Sequence, residues 1–384
     1  MGAWARVYAS ACFLLLMIGR VAVILYLSAL LLTLFVPLGI VGVILAIGIL
    51  TIFYTLLGGM QAVIWTDVMQ SVIMIVGIVF CAVSLTIDIF SGPEPLVQAA
   101  LAPVNKFSWG SLDLSLTQRT VWVVLIFGLV DNFRNLIADQ NYVQKYCTTA
   151  TEQEAKRSVW IAMLIYIPLT AIFLYIGTAL FAFYSQGGLP DSITKGDQVF
   201  PFFIGTQLPV GLKGLIIAAI LAAAMSTISS AYNCSATVSL LDFHKRFFNP
   251  NLSEKASLFH LRLMTVVWGL LGTGCGLLCM YGTESTLDIW WQISGIFGGA
   301  ILGLFVLALA RLRISLRQGI VCVIVNFAVV GWGTYARDLS PSLKWMECNI
   351  EGILVGAMGT AALLILGFFF GWINPKEESG QEVA

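Results

Sequence analysis

Hydrophobic and polar residues along this chain are segregated into long blocks, with no residue-by-residue alternation. Apolar runs of about 18 or more residues recur throughout, and each is long enough to cross a bilayer as a helix. The alternating pattern of a membrane β-barrel is absent, so the backbone groups in lipid must be paired within helices. We predict transmembrane helices at about 8–35, 38–58, 67–91, 119–146, 156–185, 209–243, 257–281, 286–310, 317–335 and 351–373.

Composition agrees with a membrane protein. Of the 384 residues, 59% are hydrophobic and 10% are charged, and a soluble domain of this size would need a more polar surface. The formal net charge of zero gives no indication of a nucleic-acid partner. No HExxH motif, GxSxG motif or pair of catalytic acids indicates an enzyme. We therefore predict an all-α polytopic membrane protein with one transmembrane domain over 1–373 and a polar tail over 374–384.

Basic residues indicate how the chain is oriented. An even number of spans places both termini on the same side of the membrane. Lysine and arginine are about twice as frequent in the loops on that side as in the loops on the other. The positive-inside rule therefore predicts that both termini are cytoplasmic. We also expect the protein to lie in the cell membrane.

The richest polar stretch at membrane depth is AAAMSTISSAYNCSAT, at 222–237. Four hydroxyl side chains lie close together there: Ser226, Thr227, Ser229 and Ser230. Helical spacing places Ser226, Ser229 and Ser230 on one face, while Thr227 shares an edge with Ala223. A cluster of neutral oxygens favours a hard monovalent cation. The alternative is that these hydroxyls bond to carbonyls one turn earlier or join neighbouring helices.

Two of the charged residues in or at the ends of predicted spans are candidates for the site: Asp67 and Arg20. Asp67 is the one charge in GGMQAVIWTDVMQ, at 58–70, where one span ends and the next begins. It either caps a helix that begins at Val68 or binds a cation. Arg20 lies midway through the first span, where an arginine usually faces a cavity or a partner. An ion pair with Asp131 or a purely structural role is the alternative for Arg20.

Three stretches carry a family resemblance: YTLLGGMQAVIWTDVMQ at 54–70, DQNYVQKYCTTATEQEAKRS at 139–158, and the hydroxyl-rich 222–237. Together they resemble the signature stretches of the sodium:solute symporter family, which includes sodium-coupled sugar, monocarboxylate, vitamin, iodide and sialic acid transporters. The resemblance implies a leucine-transporter-type bundle of two inverted repeats, with solute and ion bound between them.

The resemblance also divides the chain into parts. Residues 1–91 match the last three helices of the first repeat, 119–310 match the second repeat, and 317–373 match two additional C-terminal helices. About three N-terminal helices of the family pattern are then missing, including a broken helix that contributes to the ion site. We therefore expect residues 1–384 alone to insert in a membrane with ten spans but not to catalyse coupled transport.

Sodium is the co-transported ion that the resemblance implies. The family's main sodium site matches the carbonyl of Ala223 and the hydroxyls of Ser226 and Thr227. A second sodium site, present in some members, matches Ser229, Ser230 and Asp67, with Ser226 shared.

The solute site is implied by fewer positions. Arg20 matches the arginine that binds the substrate carboxylate in the family's sialic acid transporters, and Asn132 matches a sugar-contacting asparagine in galactose-carrying relatives. Asn135 replaces a gating aromatic residue of those relatives, which argues against a simple hexose. Trp291 and Gln292 lie near a further solute position. The implied function is sodium-coupled symport of an anionic solute such as a sialic acid or a monocarboxylate. A sodium/sugar symporter and a non-transporting sensor module are the alternatives.

Overall fold

The structure, a computed structural model, describes residues 3–33, 35–90, 98, 110–191, 193, 196–282, 286–312, 314–336 and 341–373. The predicted tail, 374–384, lies outside these residues. We number the principal helices α1 Ala3–Leu32, α2 Gly39–Phe90, α3 Val121–Ala138, α4 Gln140–Tyr146, α5 Glu152–Gly187, α6 Val199–Thr206, α7 Val210–Val238, α8 Glu254–Leu278, α9 Thr286–Ile293, α10 Gly299–Leu309, α11 Leu316–Tyr335 and α12 Val355–Ile373.

The predicted all-α polytopic fold is confirmed. Within the described ranges, ten helical segments are long and apolar enough to cross a membrane. Several bounds agree closely with the sequence prediction: α11 begins at Leu316 against a predicted 317, and α12 ends at Ile373 as predicted. Apolar run length is therefore a sufficient guide to most of these helices.

The second and third predicted spans are joined in one helix. α2 is continuous over 52 residues, from Gly39 to Phe90. Its length of about 78 Å exceeds the hydrocarbon core of a bilayer, so its two apolar parts, Gly39–Leu57 and Ile64–Ile87, are separate candidate spans. The glycines at 58 and 59 do not end the helix, because no proline follows and most neighbouring residues favour helix. Asp67 therefore lies inside a helix, and the alternative that it caps one at Val68 is wrong.

The fourth predicted span, 119–146, is broken. α3 ends at Ala138, Asp139 is extended with φ −86° and ψ 120°, and α4 begins at Gln140. The Asp139 carboxylate accepts a hydrogen bond from the backbone N–H of Asn141 at 2.9 Å, so the aspartate caps the second helix. Neither glycine nor proline lies nearby to mark this break.

α1 lies at the centre of the bundle and packs against α2, α7 and α8. Small residues allow the close approaches: a Cβ on Gly272 of α8 would lie 2.6 Å from Val21 of α1, and one on Gly48 of α2 would meet the side chain of Thr273 in α8. α3 and α5 lie at the periphery, where many of their large apolar side chains are exposed. The polar residues of α1 and α7 are thus placed beside one another within the bundle.

A glycine pair sets the approach of α12 to the helix that joins α9 and α10. A Cβ on Gly356 would lie 2.7 Å from the Cα of Gly295, and backbone cannot move aside as a flexible side chain does. We expect Gly356→Ala to destabilise the fold by about 1–3 kcal/mol, measured by thermal unfolding in detergent. Gly331→Ala is the control, because nothing lies within 4 Å of its added Cβ. Equal stability of the two variants would contradict this packing.

Candidate functional site

The hydroxyl-rich face of α7 meets α2 at Asp67. Ser226 Oγ donates to Asp67 Oδ1 at 2.5 Å, and Lys145 Nζ of α4 lies 3.1 Å from Asp67 Oδ2. The Asp67 side chain is 15% exposed and the Lys145 side chain is 45% exposed. The structure therefore brings together Asp67 and Ser226, which are 159 positions apart in sequence.

Two of the other hydroxyls of this cluster bond to carbonyls about one turn earlier, which is one of the alternatives that the sequence allowed. Thr227 Oγ1 donates to the Ala223 carbonyl at 3.1 Å, and Ser229 Oγ donates to the Ser226 carbonyl at 3.1 Å. Both are bonds within the helix. Ser230 Oγ is buried, and no partner for it is found among the described residues. Because Ala223 lies within α7, its carbonyl also accepts the backbone hydrogen bond of the helix, so a cation at this oxygen would replace the bond from the Thr227 hydroxyl.

Arg20 lies on the face of α1 that meets the break between α3 and α4. Its Nη2 donates to Asp139 Oδ2 at 3.2 Å, and its guanidinium carbon lies 5.4 Å from the centre of the Trp290 ring. The Arg20 side chain is 15% exposed and that of Asp139 is 3% exposed. The alternative pairing of Arg20 with Asp131 is not the one observed. Trp290 and Asp139 therefore surround this guanidinium, and the sequence had indicated neither.

Asn141 connects Arg20 to α7. With its amide oriented to satisfy both neighbours, its oxygen accepts from Arg20 Nη1 at 2.9 Å and its nitrogen donates to the Ser230 carbonyl at 3.2 Å. Asn141 is buried. The candidate solute site and the candidate ion site are therefore linked by one side chain of α4.

The polar residues of α3 form a separate cluster. Arg134 Nη2 donates to Asp131 Oδ1 at 2.7 Å and to Asn135 Oδ1 at 3.0 Å, and Asn135 Nδ2 donates to Asp131 Oδ2 at 3.0 Å. Arg134 is buried against Gly298 in a π-helical turn. Asn132 is exposed and donates to the Gly128 carbonyl at 2.7 Å. The solute contacts predicted for Asn132 and Asn135 stay predictions.

Trp291 and Gln292 line a different space from the one that faces Arg20. They border a cavity of about 290 Å³ between α9, α11 and α12. The Arg119 guanidinium lies 5.2 Å from the Trp291 ring centre and forms an ion pair with Glu351 at 2.8 Å. The helix register thus directs Trp290, one residue earlier, towards Arg20. The solute roles of Trp291 and Gln292 also stay predictions.

Four residues of the site were not singled out from the sequence: Asp139, Asn141, Lys145 and Trp290. Three of them lie in DQNYVQK, at 139–145, where polar residues are dense within a predicted span. That density was the available signal for a break in the helix. Trp290 differs from the predicted Trp291 by one position, which periodicity alone cannot decide.

Comparisons with known proteins agree with the resemblance found in the sequence. The model of the sodium:solute symporter family matches residues 3–325. The sodium/sialic acid symporter NanT of Aliivibrio fischeri is 32% identical over 372 residues, which cover 94% of this chain and 70% of that relative. The sodium/sialic acid symporter SiaT of Proteus mirabilis is 32% identical over 338 residues, which cover 87% of this chain and 68% of that protein.

A more distant relative and a solved structure extend the comparison. The human sodium-coupled monocarboxylate transporter 1 is 27% identical over 307 residues, which cover 79% of this chain and 50% of that protein. The solved structure is a Na⁺-coupled sialic acid symporter in a substrate-bound outward-open state, and it superposes with a TM-score of 0.82 at 28% identity. The match covers 97% of this chain and 75% of the solved one.

Proposed function

Because the chain belongs to the sodium:solute symporter family, we propose that the intact protein, in which the ion site is complete, carries a small anionic organic solute together with Na⁺. The favoured solute class is a sialic acid, since two relatives at 32% identity and a solved structure are described as sialic acid symporters. A monocarboxylate is the second candidate in the anionic class. Both candidates offer a carboxylate to the protein.

The observation that carries the proposal is Arg20. Its guanidinium lies midway along α1, largely buried, and its one charged partner within the described structure is Asp139, at 3.2 Å. A guanidinium binds a carboxylate through two parallel hydrogen bonds. A solute carboxylate that replaces Asp139 would keep the buried charge paired, whereas a neutral sugar would leave Arg20 with its internal partner.

Sodium is proposed to bind on α7. The main site would use the Ala223 carbonyl, Ser226 and Thr227, and the second would use Asp67, Ser229 and Ser230. The contact between Ser226 and Asp67 supports the pairing of these two helices around a cation. A largely buried carboxylate is favourable beside a cation, which is the role that Na⁺ would fill.

Transport would follow from alternating access of this site. A single charge that crosses the membrane potential gains about 2.3 kcal/mol per 100 mV, which drives solute accumulation. The division into inverted repeats and the cytoplasmic position of both termini are part of the same proposal. They are supported by the family match and by the distribution of basic residues.

Ser226 gives a direct test of the sodium site. We expect Ser226→Ala to raise the Na⁺ concentration for half-maximal binding about 10-fold or more in the intact protein, because a charged group loses one oxygen ligand. Binding of ²²Na⁺ to purified protein measures this. Thr237→Ala is the control, since Thr237 is a hydroxyl residue of the same helix that lies outside the proposed site and donates to the Asn233 carbonyl. An unchanged Na⁺ affinity in Ser226→Ala would remove Ser226 from the site.

The solute class is tested by competition. N-acetylneuraminic acid, its methyl ester, lactate and galactose are offered in turn against labelled N-acetylneuraminic acid. The proposal expects the free acid to compete strongly and its uncharged ester weakly, because the ester lacks the charge that Arg20 pairs. Equal competition by acid and ester, or by galactose, would favour the sodium/sugar alternative.

A further inference from the structure

Lys145 already contacts the carboxylate that is proposed to bind sodium. Its Nζ lies 3.1 Å from Asp67 Oδ2, while the other carboxylate oxygen accepts from Ser226 at 2.5 Å. The Asp67 side chain is only 15% exposed, so water alone would solvate its charge poorly. The ammonium of Lys145 therefore supplies the positive charge that a sodium ion would supply.

Sodium and this ammonium make opposing demands on the same group. A sodium ion coordinated by Asp67 and Ser226 would need the carboxylate that Lys145 now contacts, whereas the Ser226 hydroxyl keeps lone pairs for the ion. Two cations beside one carboxylate repel one another at short range. Lys145 is 45% exposed and has a long flexible side chain, so it can leave while Asp67 stays fixed in α2.

We infer that Lys145 is an internal cation that occupies Asp67 when sodium is absent, and that Na⁺ displaces it. The inference rests on the proposed sodium site and adds a competitor to it. Lys145 is a positioning residue in this scheme, since it acts on the ion through Asp67. When Lys145 is released from Asp67, α4 loses this ion pair with α2.

α4 connects this exchange to the solute site. The helix has seven residues and lies between two ion pairs: Asp139, at its N-terminal cap, with Arg20 of α1, and Lys145, in its last turn, with Asp67 of α2. A solute carboxylate on Arg20 would replace Asp139, as Na⁺ on Asp67 would replace Lys145. The solute would then free the N-terminal end of α4, and Na⁺ would free its C-terminal end. Whichever ligand binds second would displace a helix whose other end is already free.

Such an arrangement gives coupling between the two ligands. A ligand that removes part of the cost of binding a second ligand raises its affinity, and the effect is reciprocal. Asn141 strengthens the link, because it contacts both Arg20 and the Ser230 carbonyl. Residues of one short helix and its cap thus contact both the proposed solute-binding arginine and the proposed sodium-binding aspartate.

Lys145→Gln tests the inference in the intact protein. We expect the Na⁺ concentration that half-saturates ²²Na⁺ binding to be about 2- to 5-fold lower in this variant. The reason is that Na⁺ no longer has to displace a partly exposed ammonium from Asp67. Lys156→Gln is the matched control, since Lys156 pairs with Glu152 at 2.7 Å in the exposed first turn of α5. Unchanged or weaker sodium binding in Lys145→Gln than in this control would overturn the inference.

Chemical labelling tests the same exchange without a substitution. Acylation of Lys145 in the unmodified protein, read by mass spectrometry relative to Lys156, should increase when Na⁺ replaces choline. Labelling that stays constant while Na⁺ binds would overturn the displacement of Lys145.

Asp67→Asn separates this inference from the proposed site. If Na⁺ binding is unaffected in Asp67→Asn, the second sodium site, at Asp67, is wrong. If Asp67→Asn weakens Na⁺ binding while Lys145→Gln fails to strengthen it, the site stands and only the competition by Lys145 is overturned.

Discussion

Arg20→Lys is expected to weaken binding of N-acetylneuraminic acid about 100-fold in the intact protein, although the positive charge is kept. An ammonium lacks the planar pair of donors that fits a carboxylate, and losing a hydrogen bond to a charged group costs about 1.5–3 kcal/mol, which is about 100-fold at its upper end. The contact with the Trp290 ring, at 5.4 Å, is altered by the same change. Isothermal titration calorimetry at saturating Na⁺ measures the loss.

The control for Arg20 lies on the same helix. Arg6 pairs with Asp242 near the beginning of α1, and its side chain is 59% exposed, so Arg6→Lys should leave solute binding unchanged. A second comparison uses the methyl ester of the solute, whose weak binding should be the same in Arg20→Lys and in the unmodified protein. Equal losses for the acid and the ester would show that Arg20 shapes the site without binding the carboxylate.

Asp67→Asn is expected to remove one Na⁺ from each transport cycle. Asparagine can still accept from Ser226, but it has no charge to balance a second cation near hydrocarbon. The ratio of charge moved to labelled solute taken up should therefore fall by about one elementary charge, because each cycle then carries one Na⁺ fewer. Glu152→Gln is the control, because that carboxylate is exposed and pairs only with Lys156 among the described residues. An unchanged ratio in Asp67→Asn would assign Asp67 a structural role.

The sequence predicted most of the helices because apolar run length reports span position directly. α11 and α12 show this well, with ends close to those expected. The proximity of Ser226 and Asp67 could not be predicted from run length. It was expected only because the family resemblance assigns both residues to one ion site. Helical spacing alone identified the shared face of Ser226, Ser229 and Ser230.

Other features of the site were not predicted, because they depend on tertiary packing. The break at Asp139 has no glycine or proline to mark it, and it is accompanied by a cap and a distant ion pair with Arg20. The register of α9 decides whether Trp290 or Trp291 faces Arg20, and one residue turns a helix by about 100°. Lys145 lies at the end of a predicted span, and only the approach of α4 to α2 in the folded chain places it beside Asp67.

The most direct test of coupled symport is the mutual effect of the two ligands on binding. The affinity of the intact protein for ²²Na⁺ is measured with and without N-acetylneuraminic acid, and its affinity for the acid is measured in Na⁺ and in choline. We predict that each ligand raises the affinity for the other by the same factor, which falls towards one in Arg20→Lys. Affinities for Na⁺ and for the acid that are independent of one another would contradict sodium-coupled transport of this solute.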